Sequence, residues 1–150
     1  MGTIRAGLIS GALATAPMTL VLAVSRWLGL FRTAPPERIA KNAAAEAGLE
    51  EVTDDPEFGP IWLGLHVVFG AGSGLGFGLV RPFLPRSPVA GGAVYGLLVW
   101  AVNYVGLMPV LGLFPSPRQA GIRRTYVMIV AHIVYGAVMG VVFSAMRKRG

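Results

Sequence analysis

The 150-residue chain contains no cysteine, and only 13% of its residues are charged. The first absence excludes a disulfide framework, thiol catalysis and thiolate metal ligands. The second leaves too little charge to cover a water-soluble surface, since an ordinary domain carries about 25%. Acidic residues are scarcest: seven Asp and Glu face thirteen Lys and Arg, for a formal charge of +6. So basic a chain would raise nucleic acid as a partner if it had a basic face. Its charges stand instead at the ends of long uncharged runs, so no nucleic-acid partner is expected. There is no phosphate-loop pattern, and Ser10, Ser25, Ser73, Ser87, Ser116 and Ser144 lack the setting of a nucleophile elbow. No enzyme is expected.

What the chain does have is apolar length. Hydrophobic residues make up 54%, and 21 residues are Gly. A bilayer core of about 30 Å needs roughly 20 helical residues. Four uncharged runs meet that requirement, at 6–25, 60–80, 87–117 and 125–146. They predict one all-helical domain of four transmembrane spans, at about 6–27, 60–81, 88–108 and 124–146. The first run is too long for the apolar region of a cleaved signal and reads as a retained helix.

The polar segment at 32–59 lies between the first two spans. Pro35-Pro36 suits a helix start, the residues from Glu37 to Leu49 form a short amphipathic helix, and Gly48 is placed to cap it. Glu50, Glu51, Asp54, Asp55 and Glu57 then read as a solvated linker rather than a cation site, because they lack ligand spacing. Four spans put both termini on one side with Arg5, Arg81, Arg86, Arg147, Lys148 and Arg149. The other side has Arg26, Arg32, Arg38, Lys41, Arg118, Arg123 and Arg124 together with all the acids. Counted by Lys and Arg the two sides nearly tie. The compact, unopposed basic groups favour cytoplasmic termini and attraction to membrane lipid.

Spans two and four match at an offset of 66. From His66 to Arg81, seven of sixteen positions are identical to those from His132 to Arg147, including His, Gly, Phe and Arg. Spans one and three match weakly, with Gly7 and Gly11 against Gly92 and Gly96. Two hairpins related by a parallel repeat account for the pattern. His66, Gly70, Gly74, Phe77 and Arg81 fall in one helical stripe, as do His132, Gly136, Gly140, Phe143 and Arg147. Small residues at this spacing, with Gly92 and Gly96, suit close helix packing in lipid.

His66 and His132 are the most informative polar residues, at matching depths. Imidazole pairs can ligate haem or a metal, although no third strong ligand stands beside them. The alternative is hydrogen bonding across the bundle to Asn103, Tyr104, Tyr135, a serine or a carbonyl. Asn103 can orient a histidine, meet a substrate or cap a kink before Pro109. Thr15 and Thr19 flank Pro17, where a hydroxyl can satisfy backbone groups freed by the kink. With Met18, Pro17 and Thr19 can also line a small cavity opposite Asn103. The candidate site is therefore His66, His132, Asn103 and Tyr135. The expected role is a small non-enzymatic membrane component, acting as a homo-oligomer or in a larger complex. The rivals are an oligomeric transporter or channel for a small solute or ion, and a haem or metal protein.

Gly7 and Gly11 followed by Thr15, Met18 and Thr19, then Pro35-Pro36, His-x-x-x-Gly-Ala at His66, Tyr95-Gly96 with Trp100, and His-x-x-x-Gly at His132 form a familiar series. It resembles the small bacterial inner-membrane proteins grouped around YagU, a family of unknown function. The resemblance implies several spans and a bacterial inner-membrane location, and assigns no residue a role.

Overall fold

The structure, a computed structural model, describes residues 1–55 and 58–148. Glu57 of the acidic stretch and Arg149 of the basic terminus lie outside these residues. Helix α1 runs Thr3–Trp27, α2 Pro35–Glu46, α3 Phe58–Val80 and α6 Ile122–Lys148. Helix α4 spans Pro88–Val110: an α-helix to Trp100, a π-helix over Ala101–Leu107, then a last turn at Met108–Val110. A single turn, α5 at Pro117–Ala120, precedes α6. The described residues contain no strand, and α1, α3, α4 and α6 are each long and apolar enough to cross a membrane.

Local chemistry sets the helix ends. Pro35 and Pro36 occupy the first turn of α2, where a missing N–H costs nothing. Gly48 ends α2 in the left-handed conformation (φ 71°), with Leu49 N–H donating to Ala44 O at 2.8 Å. This is a Schellman closure, which favours Gly because no Cβ opposes the positive φ. Ser87 caps α4 by accepting from Ala90 N–H.

Helix α1 packs along α3, α4 packs along α6, and the two hairpins meet where α1 lies against α6. Helices α3 and α4 scarcely touch. Glycines let the backbones approach within each hairpin. Gly11 sits against Gly70 O and the Gly74 Cα, and Gly92 sits against Gly136 O and the Gly140 Cα. Gly96 meets His132 O, and Thr15 Oγ1 meets Gly70. Gly11 against α3 and Gly92 against α6 therefore make equivalent contacts, and Thr15 and Gly96 each follow one turn later on their own helices. The sequence pairing of Gly11 with Gly96 is one helical turn out of register.

Aromatic contacts lock the end near the termini. Phe77, fully buried, makes edge contacts with Tyr95 and Phe143, each at 5.3 Å between ring centroids. Tyr95 Oη donates to Ser73 O at 2.7 Å, tying α4 to α3 there. The outward surface is apolar: Leu20, Val68, Leu79 and Val102 are each more than 60% exposed.

Candidate functional site

Between the sparsely touching α3 and α4 lies a cavity of about 230 Å³. It runs from α2 at one end toward the middle of the bundle. Pro36, Ile39 and Ala40 of α2 cover its end, and Thr15 and Met18 of α1 form one wall. Helix α3 contributes Trp62, Leu65, His66, Phe69 and Gly70; α4 contributes Val99, Asn103, Tyr104 and Met108; α6 contributes His132 and Tyr135. His66, His132, Asn103 and Tyr135, singled out separately in the sequence, thus line one space. Pro17 and Thr19 are not among the lining residues.

The cap is fastened at two points. Asn42 Nδ2 donates to Leu113 O at 2.7 Å, joining α2 to the turn after α4. Glu37 lies 3.5 Å from Arg26 at the end of α1 and 3.8 Å from Lys41. Both ion pairs are at least partly exposed and contribute little individually. Arg38 and Arg124 stack on Phe114, whose ring makes an edge contact with Tyr104.

The polar groups pair differently from expectation. Among the described residues, neither histidine has a hydrogen-bond partner across the bundle. His132 Nδ1 lies 2.7 Å from Met128 O in its own helix. A carbonyl can only accept, so Nδ1 carries the proton, and in the neutral imidazole Nε2 is left as an acceptor. The Tyr104 ring stands edge-on to the His132 imidazole at 5.6 Å and holds its plane. His66 Nε2 is buried without a hydrogen-bond partner, beside the Trp62 ring at 6.5 Å. From this site, Tyr135 Oη reaches across to Gly70 O at 2.7 Å. Asn103 Nδ2 donates to Val99 O at 2.8 Å, leaving its Oδ1 as an acceptor.

The π-helix brings Asn103 and Tyr104 to this wall. Met108 N–H reaches back five residues to Asn103 O, and Pro109 has no N–H to offer Val105. The ladder therefore widens where Pro109 interrupts it, in place of the simple kink expected. In α1, Thr15 and Thr19 hydroxyls donate to Gly11 O and Thr15 O. Neither takes the Leu13 carbonyl, which lacks its usual donor at Pro17, so the expected repair at Pro17 is not what these hydroxyls do.

Among the described residues, no three His, Cys, Asp or Glu side chains converge, and no carboxylate lines the cavity. The volume lies below the roughly 300–1,000 Å³ of pockets enclosing drug-sized ligands. Sequence reasoning missed Trp62, Phe69 and the α2 residues, and it named Tyr104 as a hydrogen-bond partner of the histidines rather than as the ring that stands edge-on to His132. Trp62 stands one turn before His66 on the same stripe, a signal that was present. Trp100, by contrast, is not among the cavity's lining residues and lines a separate hollow with Phe114 and Arg124.

The chain belongs to DUF6789, a family of unknown function, whose sequence profile matches residues 1–150. That match carries no activity, and it does not extend to the YagU group in particular. No curated protein and no solved structure is similar enough to count as a match.

Proposed function

We propose that the protein is a small non-enzymatic, multi-pass protein of the bacterial cytoplasmic membrane that binds a small lipophilic molecule between its hairpins. The observation that carries this reading is the orphaned His66 Nε2 beside an otherwise apolar cavity that also presents His132 and Asn103. A buried polar atom without a partner costs about 1–3 kcal/mol, which a bound hydrogen-bonding group would recover. The apolar outer surface supports the membrane setting, and the unopposed Arg81, Arg86 and Arg147 support cytoplasmic termini. The matched glycine contacts support an internal repeat of hairpins.

Self-assembly was expected from the glycine faces. Gly7, Gly11, Gly70, Gly74, Gly92, Gly96, Gly136 and Gly140 all meet neighbours within the chain, so they supply no argument for a homo-oligomer. A ligand-binding accessory protein is the reading we retain, with carriage of the same ligand across the membrane as its nearest extension.

Native mass spectrometry of protein released from its own membranes tests this. Wild type is expected to retain a reproducible small-molecule mass. His66→Leu should reduce its occupancy several-fold, and Ala40→Phe, which fills the capped end, should abolish it. Identical adducts on all three proteins would reject binding in this cavity.

A further inference from the structure

We infer that the ligand reaches the cavity sideways, from the hydrocarbon interior, and that it is a neutral lipophilic alcohol. The inference rests on the cavity being a binding site, and adds the route and the chemical class.

A second hollow of about 410 Å³ lies on the outer side of the α3/α4 seam, lined by Gly72, Ser73, Tyr95, Leu98 and Val102. Phe69, Val99 and Asn103 line both this hollow and the inner cavity, so they form the partition between the two. The partition is thin because α3 and α4 scarcely touch, the Tyr95 to Ser73 bond closing the seam only beyond it. Phe69 is 51% exposed, and its removal would connect the hollows.

The depth of the partition decides what can pass. Phe69 is the twelfth of the 23 residues in α3, and Val99 the twelfth of the 23 from Pro88 to Val110. At 1.5 Å per residue each is about 16 Å from either helix end, at the bilayer midplane if the helices span it. Water and ions are excluded from that depth. The opposite, polar end of the cavity is covered by α2 and held by Asn42. A molecule dissolved among acyl chains has the shorter way in.

The available polar atoms select its chemistry. Met128 O holds the proton of His132 on Nδ1, and Val99 O occupies the Asn103 amide. In the neutral state His132 Nε2 and Asn103 Oδ1 remain as acceptors, while the His66 ring offers one donor and one acceptor nitrogen; a hydroxyl, which both donates and accepts, can serve all three. Among the described residues, no Asp, Glu, Lys or Arg side chain lines the cavity. A charged headgroup would stay unpaired there, whereas a hydroxyl on an apolar body is matched.

The test uses the protein in lipid nanodiscs with Trp62 as the sole tryptophan, after Trp27→Phe and Trp100→Phe. The probe is an ω-bromo fatty alcohol delivered from donor vesicles, and the bromoalkane of equal chain length is the comparison. A second protein keeps only Trp27, which is 84% exposed, and reports quenching from bulk lipid. The alcohol is expected to quench Trp62 saturably, in competition with the unbrominated alcohol, and the bromoalkane about tenfold more weakly. Gly72→Leu fills the outer hollow, where a Cβ meets nothing within 4 Å. It should slow the approach to quenching about tenfold at unchanged final occupancy, and Phe69→Ala should hasten it.

Saturable quenching with rates indifferent to both substitutions would overturn the lateral route while leaving the cavity a binding site. Equal quenching by alcohol and alkane would overturn the chemical class. Trp62 quenching that never saturates and follows Trp27 would remove the binding site itself.

Discussion

The cost of a glycine and the contact it permits are set at single residues. In an exposed helix position, replacing Gly by Ala gains about 0.5–1 kcal/mol. Gly64 is such a position, with nothing within 4 Å of an added Cβ, so Gly64→Ala should be neutral or mildly stabilising. At Gly136 the same methyl would overlap Gly92 O and approach Gly96 N, both backbone atoms that cannot rotate away. Gly136→Ala should therefore force α4 and α6 apart and cost about 1–3 kcal/mol. Parallel thermal unfolding of the two variants in one lipid mixture measures the contrast. Equal stabilities would show that the close approach contributes nothing to the fold. The difference in sign arises because helix propensity acts at every glycine, whereas backbone contact is confined to the stripes facing a partner.

At the scale of the element, the cap α2 is held by fewer contacts than the spans and should open first. Asn42→Ala removes the bond to Leu113 O, worth about 0.5–1.5 kcal/mol. The expected outcome is faster deuterium uptake in Pro35–Glu46 and in residues 108–116, with α1 and α6 unchanged. Uptake altered throughout the chain would mean that α2 does not open as a unit. Helix α2 was legible in the sequence because Pro35-Pro36 and Gly48 bracket it, and the spans because hydropathy alone marks them. The π-helix was not legible: Pro109 announces an interruption, but no local pattern tells a kink from a widened ladder. The register of α1 against α4 was not legible either. Glycines spaced by four at Gly7 and Gly11 and at Gly92 and Gly96 align equally well one turn apart, and only contact with the partner helix decides. In the site, His66, His132, Asn103 and Tyr135 stood out as polar groups in apolar runs. Trp62 and Phe69 did not, because an aromatic in such a run reads the same whether it faces lipid, core or cavity.

The whole molecule is two hairpins joined by a tight turn, and its strength is unevenly distributed. The covalent link at residues 81–87 is braced by Arg81, which donates to Pro85 O and Arg86 O at 3.0 and 2.8 Å. Beyond the contacts of Tyr95 with Ser73 and Phe77, little joins α3 to α4 directly, and the hairpins are united by α1 against α6. On α1, Gly7, Gly11 and Thr15 face α3, while Ala6, Ser10 and Ala14 are fully buried on the adjoining stripe and so face α6. If that contact unites the halves, the turn serves mainly to raise their effective concentration, to millimolar values for a short link. Confinement to one membrane restores much of that. Residues 1–84 and 85–150, co-expressed as separate chains, are therefore expected to co-purify in mild detergent. Ala14→Leu in the first fragment should separate them, because overpacking a filled contact costs about 1–3 kcal/mol. Affinity capture of one tagged half, with the other detected by mass, reads the result. Halves that both insert but never co-purify would show that the turn, rather than the α1/α6 contact, holds the cavity's walls together. The cavity would then depend on a connection that touches none of its lining residues.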